Sequence, residues 1–125
     1  MKIAIIDDNR AVANTISDII ELEYEDVEVD RFSSKLELEQ FLQENQINWD
    51  VVFMDYNLEE DVTGIDVAKV LAEYATNNFK LVFITGEGSI FLSTKLKISG
   101  LEYDYIEKNA QMEHKILNIL DECVD

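Results

Sequence analysis

Basic residues are scarce in this sequence. Ten Lys and Arg stand against 27 Asp and Glu, a formal charge of -17 over 125 residues. A surface of that sign repels phosphate backbones and anionic lipid, which excludes direct nucleic-acid or membrane binding as the task of this domain. It suits a divalent cation or a basic face on a partner protein, and most of the acids serve solubility. There is one cysteine, Cys123, so no internal disulfide can form, and a lone thiol fits a reducing cytoplasm. No apolar run approaches the length of a membrane span. The opening "MKIAIIDDN" meets acids too soon to be a signal peptide. Proline is absent, and no linker or low-complexity tract interrupts the chain. Residues 1–125 are therefore expected to form a single soluble, cytoplasmic domain.

What is present is a hydrophobic fraction of 47%, enough for one packed core. Two kinds of segment alternate. "KIAII" (2–6), "VEVDRF" (27–32), "DVVFM" (50–54), "KLVFI" (80–84) and "YDYI" (103–106) are short and rich in β-branched and aromatic residues. Between them apolar residues recur at helical spacing: Val12, Ile16, Ile19 and Ile20; then Leu36, Leu38, Phe41 and Leu42; then Val67, Val70 and Leu71; and last Met112, Ile116, Leu117 and Leu120. A further helix is expected over residues 89–99, with apolar residues on several sides. The first, third and fourth strand segments are almost wholly apolar, as strands covered on both faces must be. Five such β/α repeats predict an α/β fold, a doubly wound parallel sheet of the flavodoxin-like (βα)5 kind with strand order 2-1-3-4-5.

Ligands of such sheets bind beyond the carboxyl ends of the strands, where the strand order reverses. Strand one ends in Asp7 and Asp8, strand three in Asp55, strand four in Thr85 and strand five in Lys108. The order 2-1-3-4-5 would gather three carboxylates, a hydroxyl and an ammonium in one shallow crevice. Taken singly, each acid could be a helix cap or the start of a turn. Taken together they repel, by roughly 4 kcal/mol per close pair at an intermediate dielectric. Mg²⁺ (or Mn²⁺) would offset that repulsion, since such hard cations take one or two carboxylates, water and phosphate oxygens. A carboxylate held there can attack a phosphoryl donor and become an acyl phosphate, with metal and lysine stabilising the charge on the phosphoryl oxygens.

At these residues the chain resembles the receiver domain of two-component response regulators. The motifs "IIDDN" (5–9), "VVFMDYN" (51–57), "VFITG" (82–86) and "YDYIEK" (103–108) carry the resemblance, in order and over essentially the whole chain. It implies that Asp55 accepts a phosphoryl group from a sensor histidine kinase or a histidine phosphotransfer protein. Asp7, Asp8, Asp55 and the backbone carbonyl of Asn57 would hold Mg²⁺, Lys108 would pair with Asp55 or its phosphate, and Thr85 would be the switch hydroxyl. Tyr105 falls at the position of the switch aromatic. Asn57 and Glu87 flank the approach of water to the acyl phosphate, and the same pair occurs in chemotaxis-type regulators with short-lived phosphorylation. The resemblance further implies a downstream protein target or a homodimer through the face of the fourth helix, fifth strand and fifth helix, where Phe91 and Leu92 would lie. Such a domain is a phosphoacceptor switch that assists its own phosphorylation and dephosphorylation, and not an enzyme.

Two departures stand out. Many receivers carry proline after the lysine, whereas Asn109 follows Lys108 here; a non-proline cis bond costs about 3–4 kcal/mol, so either a trans bond with a shifted loop or a cis one is expected. The loop from Asp55 to Gly64 is slightly long and carries Glu59, Glu60 and Asp61. Neither departure removes a reacting group. A haloacid-dehalogenase-type aspartyl phosphatase would want an acid two residues after the nucleophile, where Asn57 stands, and a cap domain. A pseudo-receiver that only binds partners would typically lose an acid or the lysine. A flavodoxin would need Ser and Thr where "DDNRAV" offers acids. His114 and Trp49 are expected to be packing or surface residues. The chain runs to "ILDECVD" without linker character, which fits a stand-alone receiver or one excised from a longer regulator.

Overall fold

The computed structural model describes residues 1–59, 62–74, 79–86 and 103–123, with Asn57, Glu59 and Val62 described by their backbone alone. The elements run β1 (Lys2–Ile6), α1 (Arg10–Glu23), β2 (Glu28–Phe32), α2 (Lys35–Glu44), β3 (Val51–Asp55), β4 (Asn57–Glu59), β5 (Val62–Thr63), α3 (Gly64–Tyr74), β6 (Lys80–Thr85), β7 (Asp104–Glu107) and α4 (Met112–Cys123). The main sheet is parallel, in the order β2-β1-β3-β6-β7. Counting its strands along the chain, this is the expected 2-1-3-4-5. The expected helix over residues 89–99, and with it Phe91 and Leu92, lies outside the described residues, as do Glu60, Asp61 and Glu87.

Strand alternation sorts the sheet's side chains into two layers. Ala4, Ile6, Val52 and Met54 face α2 and α3, in a cluster that also holds Leu38, Leu42, Val67 and Leu71. Ile3, Ile5, Val51 and Phe53 face the other way, against Ile16 and Ile20 of α1 and Ile116 and Leu120 of α4. Every residue of β3 is buried, and at about 1.5–3 kcal/mol per large apolar side chain this central strand is a rigid mount. The aromatic residues extend the first layer. Trp49 is buried against Phe32 and Phe41, with ring centroids 5.7 Å away in each case. Its Nε1–H donates to Asp30 Oδ2 at 2.8 Å.

Two features differ from the sequence reading. Leu36 is 64% exposed, because it lies about 200° around α2 from Leu38, off the stripe formed by Leu38, Phe41 and Leu42. The long loop after Asp55 folds into a small antiparallel pair, β4 with β5, in which Asn57 opposes Thr63. Leu58 is fully buried and anchors this hairpin in the core. Gly64 then starts α3, its N–H donating to the Tyr56 carbonyl at 2.6 Å. Thr63 and Asp66 reciprocate at that helix start, the Thr63 N–H donating to Asp66 Oδ2 at 3.0 Å.

Gly64 links this loop to the end of β3. A Cβ there would lie 2.7 Å from Phe83 Cε1 and 2.9 Å from the backbone oxygen of Asp55. Gly64→Ala is expected to cost about 1–3 kcal/mol through overpacking, whereas Leu36→Ala on the exposed face should change stability by less than about 0.5 kcal/mol. Urea unfolding of the two variants checks the contrast.

Candidate functional site

The strand ends converge as the sheet order requires. Asp7 follows β1, Asp55 ends β3, Thr85 ends β6 and Lys108 follows β7. Carboxylate oxygens of Asp7, Asp8 and Asp55 lie within 4.8 Å of one another. Asp7 and Asp55 are buried, and Asp8 is exposed at the rim. Lys108 Nζ lies 3.3 Å from Asp55 Oδ1, its side chain partly covered. Backbone bonds set these positions. The Lys108 N–H donates to the Thr85 carbonyl at 2.8 Å, and the Tyr56 N–H to the Ile84 carbonyl at 3.2 Å.

Asn9 organises the acid nearest the start of the chain. Its Oδ1 accepts from the N–H groups of Ala11 and Val12, at 3.0 and 3.2 Å, and so caps α1. Its own N–H donates to Asp7 Oδ1 at 2.8 Å. One carboxylate oxygen of Asp7 is thereby fixed, while Oδ2 is buried with no hydrogen-bond partner. An orphaned acceptor of that kind is costly, and with two further carboxylates nearby it fits a hard divalent cation, whose ligands are oxygens. Burial, above all, pushes the Asp7 carboxyl up to about 6; the nearby charges of Asp55 and Asp8 push the same way, against the Asn9 N–H and Lys108.

The remaining expected residues are placed as follows. Thr85 is fully buried. Tyr105 is half-buried, opposite Phe83 in the sheet register and packed against the first core layer. The backbone of Asn57 lies in β4, directly after the end of β3, and its side chain is outside the described residues. Where many receivers have proline, Asn109 begins the approach to α4. Its Oδ1 accepts from the Gln111 N–H at 2.9 Å, its carbonyl accepts from the Met112 N–H at 3.1 Å, and its own N–H donates to the Glu107 carbonyl at 2.9 Å. His114 is exposed, 3.3 Å from Asn118. The clamp from Asn9 to Asp7 was missed from the sequence, although an Asn before the first apolar-periodic residues is a helix-start signal. The hairpin gave no comparable signal, having neither glycine nor a turn dipeptide at its tip. No helix among the described residues is long and apolar enough to cross a membrane.

Comparison with known proteins agrees with this architecture. A family model for the response regulator receiver domain matches residues 3–120. Among solved structures, the chain is similar to the response regulatory domain of mrkE from Klebsiella pneumoniae, with 27% identity and a TM-score of 0.75 over 98% of this chain and 94% of that one. It is similar to a response regulator receiver domain protein from Clostridium thermocellum, with 25% identity and a TM-score of 0.72 over 97% and 94%. The chemotaxis response regulator CheY4 of Vibrio cholerae shares the fold at 19% identity, with a TM-score of 0.75 over 98% of each chain. A search of curated protein sequences finds no significant match.

The Asp7 carboxyl sits above its ordinary value of 3.8, so between that pH and about 6 it holds a proton in the folded state that it has lost in the unfolded state. Its contribution to stability is present below pH 3.8 and is lost as pH rises through about 6. Asp7→Asn keeps the acceptor for Asn9 and removes the charge. In the presence of chelator it should stabilise the protein by up to about 3 kcal/mol at pH 7, with the gain shrinking as pH falls towards 4. Paired urea titrations at pH 7 and 4.5 measure this, and equal stabilities at pH 7 would contradict it.

Proposed function

The chain belongs to the response regulator receiver family, and from that premise we propose that Asp55 is its phosphoacceptor. A receiver of this family is a phosphoacceptor switch of two-component signalling and not an enzyme. The observation that carries the assignment of Asp55 is its setting: buried at the end of the central strand, 3.3 Å from the Lys108 ammonium and beside Asp7 and Asp8. A sensor histidine kinase or a histidine phosphotransfer protein would supply the phosphoryl group. An Asp55 oxygen attacks phosphorus, an O–P bond forms, and the N–P bond breaks with its electron pair returning to the donor imidazole. Strand β3 fixes the line of attack, which is where most of the catalytic assistance in such transfers arises. Lys108 moves from neutralising the carboxylate to neutralising the phosphoryl oxygens.

Asp7, Asp8, Asp55 and the Asn57 carbonyl would hold Mg²⁺, or Mn²⁺ in its place. When bound, the cation supplies positive charge at the phosphoryl oxygens and removes the repulsion among the acids. Pairing of Asn57 with Thr63 in the hairpin supports a fixed position for that carbonyl. Thr85 would donate its hydroxyl to a phosphoryl oxygen, and Tyr105 would follow the vacated space inward. Tyr105 lines a groove of about 520 Å³ between β7 and α4, together with Tyr103, Lys115 and Ile119. That groove supports the face of the fifth strand and last helix as the surface offered to a target protein or a second copy. Absence of a membrane-spanning helix among the described residues is compatible with a cytoplasmic domain. Asn57 and Glu87 would tune the lifetime of the acyl phosphate.

Incubation with acetyl phosphate and Mg²⁺ should add one phosphoryl group by intact mass, and fluoroberyllate should bind in a Mg²⁺-dependent manner. Asp55→Asn should abolish both, and Lys108→Ala should slow phosphorylation by roughly 100-fold. A folded wild type that takes up neither reagent would leave a partner-binding pseudo-receiver in its place. Substitution of Asn57 or Glu87 by Ala should change the rate of phosphate loss several-fold, read by the decay of the adduct; unchanged decay would remove these two from the lifetime assignment.

A further inference from the structure

Building on the receiver reading, we propose that Arg10 and Arg31 form an anion-capture subsite, which holds the phosphoryl dianion of an incoming donor beside the Asp55 pocket. They are the only arginines in a chain with 27 acids, and the fold brings them to one place. A groove of about 490 Å³ opens between the start of α1 and the carboxyl end of the edge strand β2. Both arginines line it, together with Asp7, Asp8, Ser33 and Glu37. Asp7 and Asp8 also belong to the carboxylate cluster, so groove and cluster share a wall.

The charges of the groove point to an anion. Lys2, Lys35, Lys80 and Lys108 each have a carboxylate within ion-pair distance. Neither Arg10 nor Arg31 has one among the described residues. Lys69 and Lys115 share that condition, but Lys69 stands on α3 outside this groove and Lys115 lines the separate groove beside Tyr105. Arg10 is moreover the first residue of α1, whose first turn holds no acid. A cation there opposes the helix dipole, at a cost of about 0.3–1 kcal/mol. The helix end is not itself the site, since Asn9 already occupies the N–H groups of Ala11 and Val12. The guanidinium groups are what remains.

The acids of the groove do not cancel this charge once the neighbouring cluster is filled. A divalent cation and Lys108 together neutralise Asp7, Asp8 and Asp55, which leaves two guanidiniums against Glu37. The Glu37 carboxylate is itself engaged by the Ser33 hydroxyl at 2.8 Å. A planar guanidinium matches phosphate oxygens two at a time, as lysine does not. Such a pair answers a difficulty specific to this chain: a charge of -17 repels every dianionic donor that approaches it. A local cationic entrance raises the donor's concentration at the pocket mouth, and it does so most at low ionic strength.

Phosphorylation by intact mass, at saturating Mg²⁺ and varied donor, tests the proposal with the full chain. The donors are acetyl phosphate and phosphoimidazole, the latter a small counterpart of phosphohistidine. In the double variant Arg10→Ala/Arg31→Ala the donor concentration for half-maximal rate should rise roughly tenfold at low salt. Its rate at saturation should hold, and its salt dependence should flatten. The double variant Arg10→Lys/Arg31→Lys, which keeps the charge but not the planar fork, should fall between the wild type and the alanine variant. Titration of inorganic phosphate into the Mg²⁺-loaded wild type should shift both arginine Nε–H resonances. Loss with only one of the two donors, equal loss in the lysine and alanine variants, or unmoved arginine resonances would each overturn the subsite. A wild type that accepts neither donor would instead remove the receiver reading on which it rests; a wild type that accepts both, with unchanged variants, removes the subsite alone.

Discussion

Mutual repulsion of Asp7, Asp8 and Asp55 is the constraint around which the carboxyl end of this sheet is arranged. Three carboxylates with oxygens within 4.8 Å of one another are held there by parallel strand pairing, and two of them are buried. The described structure answers part of the cost. Lys108 neutralises Asp55, and the Asn9 N–H satisfies one oxygen of Asp7. The other oxygen of Asp7 is left without a partner, and the carboxyl is pushed up to about 6. Under the proposed function, a divalent cation at this cluster would bind with part of its cost already met, because the same repulsion would be relieved on binding. On that proposal, the repulsion among the carboxylates would become coupling between metal, phosphoryl group and fold.

The position of Asp55 is held by the segment after it. In a chain without proline, backbone pairing holds this segment: the hairpin of β4 and β5, the buried Leu58 and the N–H of Gly64 returning to Tyr56. Gly64 lets α3 approach the carbonyl of Asp55 more closely than any side chain would permit. Asn109 does comparable work after Lys108, where its side chain and carbonyl lead into α4. Through Gly64 this loop is tied to the packing of Phe83 and to the backbone of Asp55.

Much of this was legible in the sequence for simple reasons. Apolar runs ending in acids, such as Val51–Asp55, mark buried strands whose ends face solvent, and the parallel order then dictates which ends meet. The convergence of Asp7, Asp55 and Lys108 followed from that order and from nothing finer. Leu36 misled because helical spacing read residue by residue admits an outlier, whereas the stripe of Leu38, Phe41 and Leu42 is set by packing on the sheet. The hairpin was invisible because its pairing depends on Leu58 finding the core, which is a tertiary fact. The placement of Arg10 and Arg31 in one groove was equally hidden, since it joins a helix start to the end of an edge strand 21 positions later.

The most direct measurement is the proton balance of Mg²⁺ binding. Calorimetric titration at pH 6 in two buffers of different ionisation enthalpy gives the protons released per cation bound. With the Asp7 carboxyl at about 6, close to half a proton should leave at that pH, and almost none at pH 8. Binding with no proton release at pH 6, or no binding at all, would contradict the account of a strained carboxylate cluster built to hold a cation.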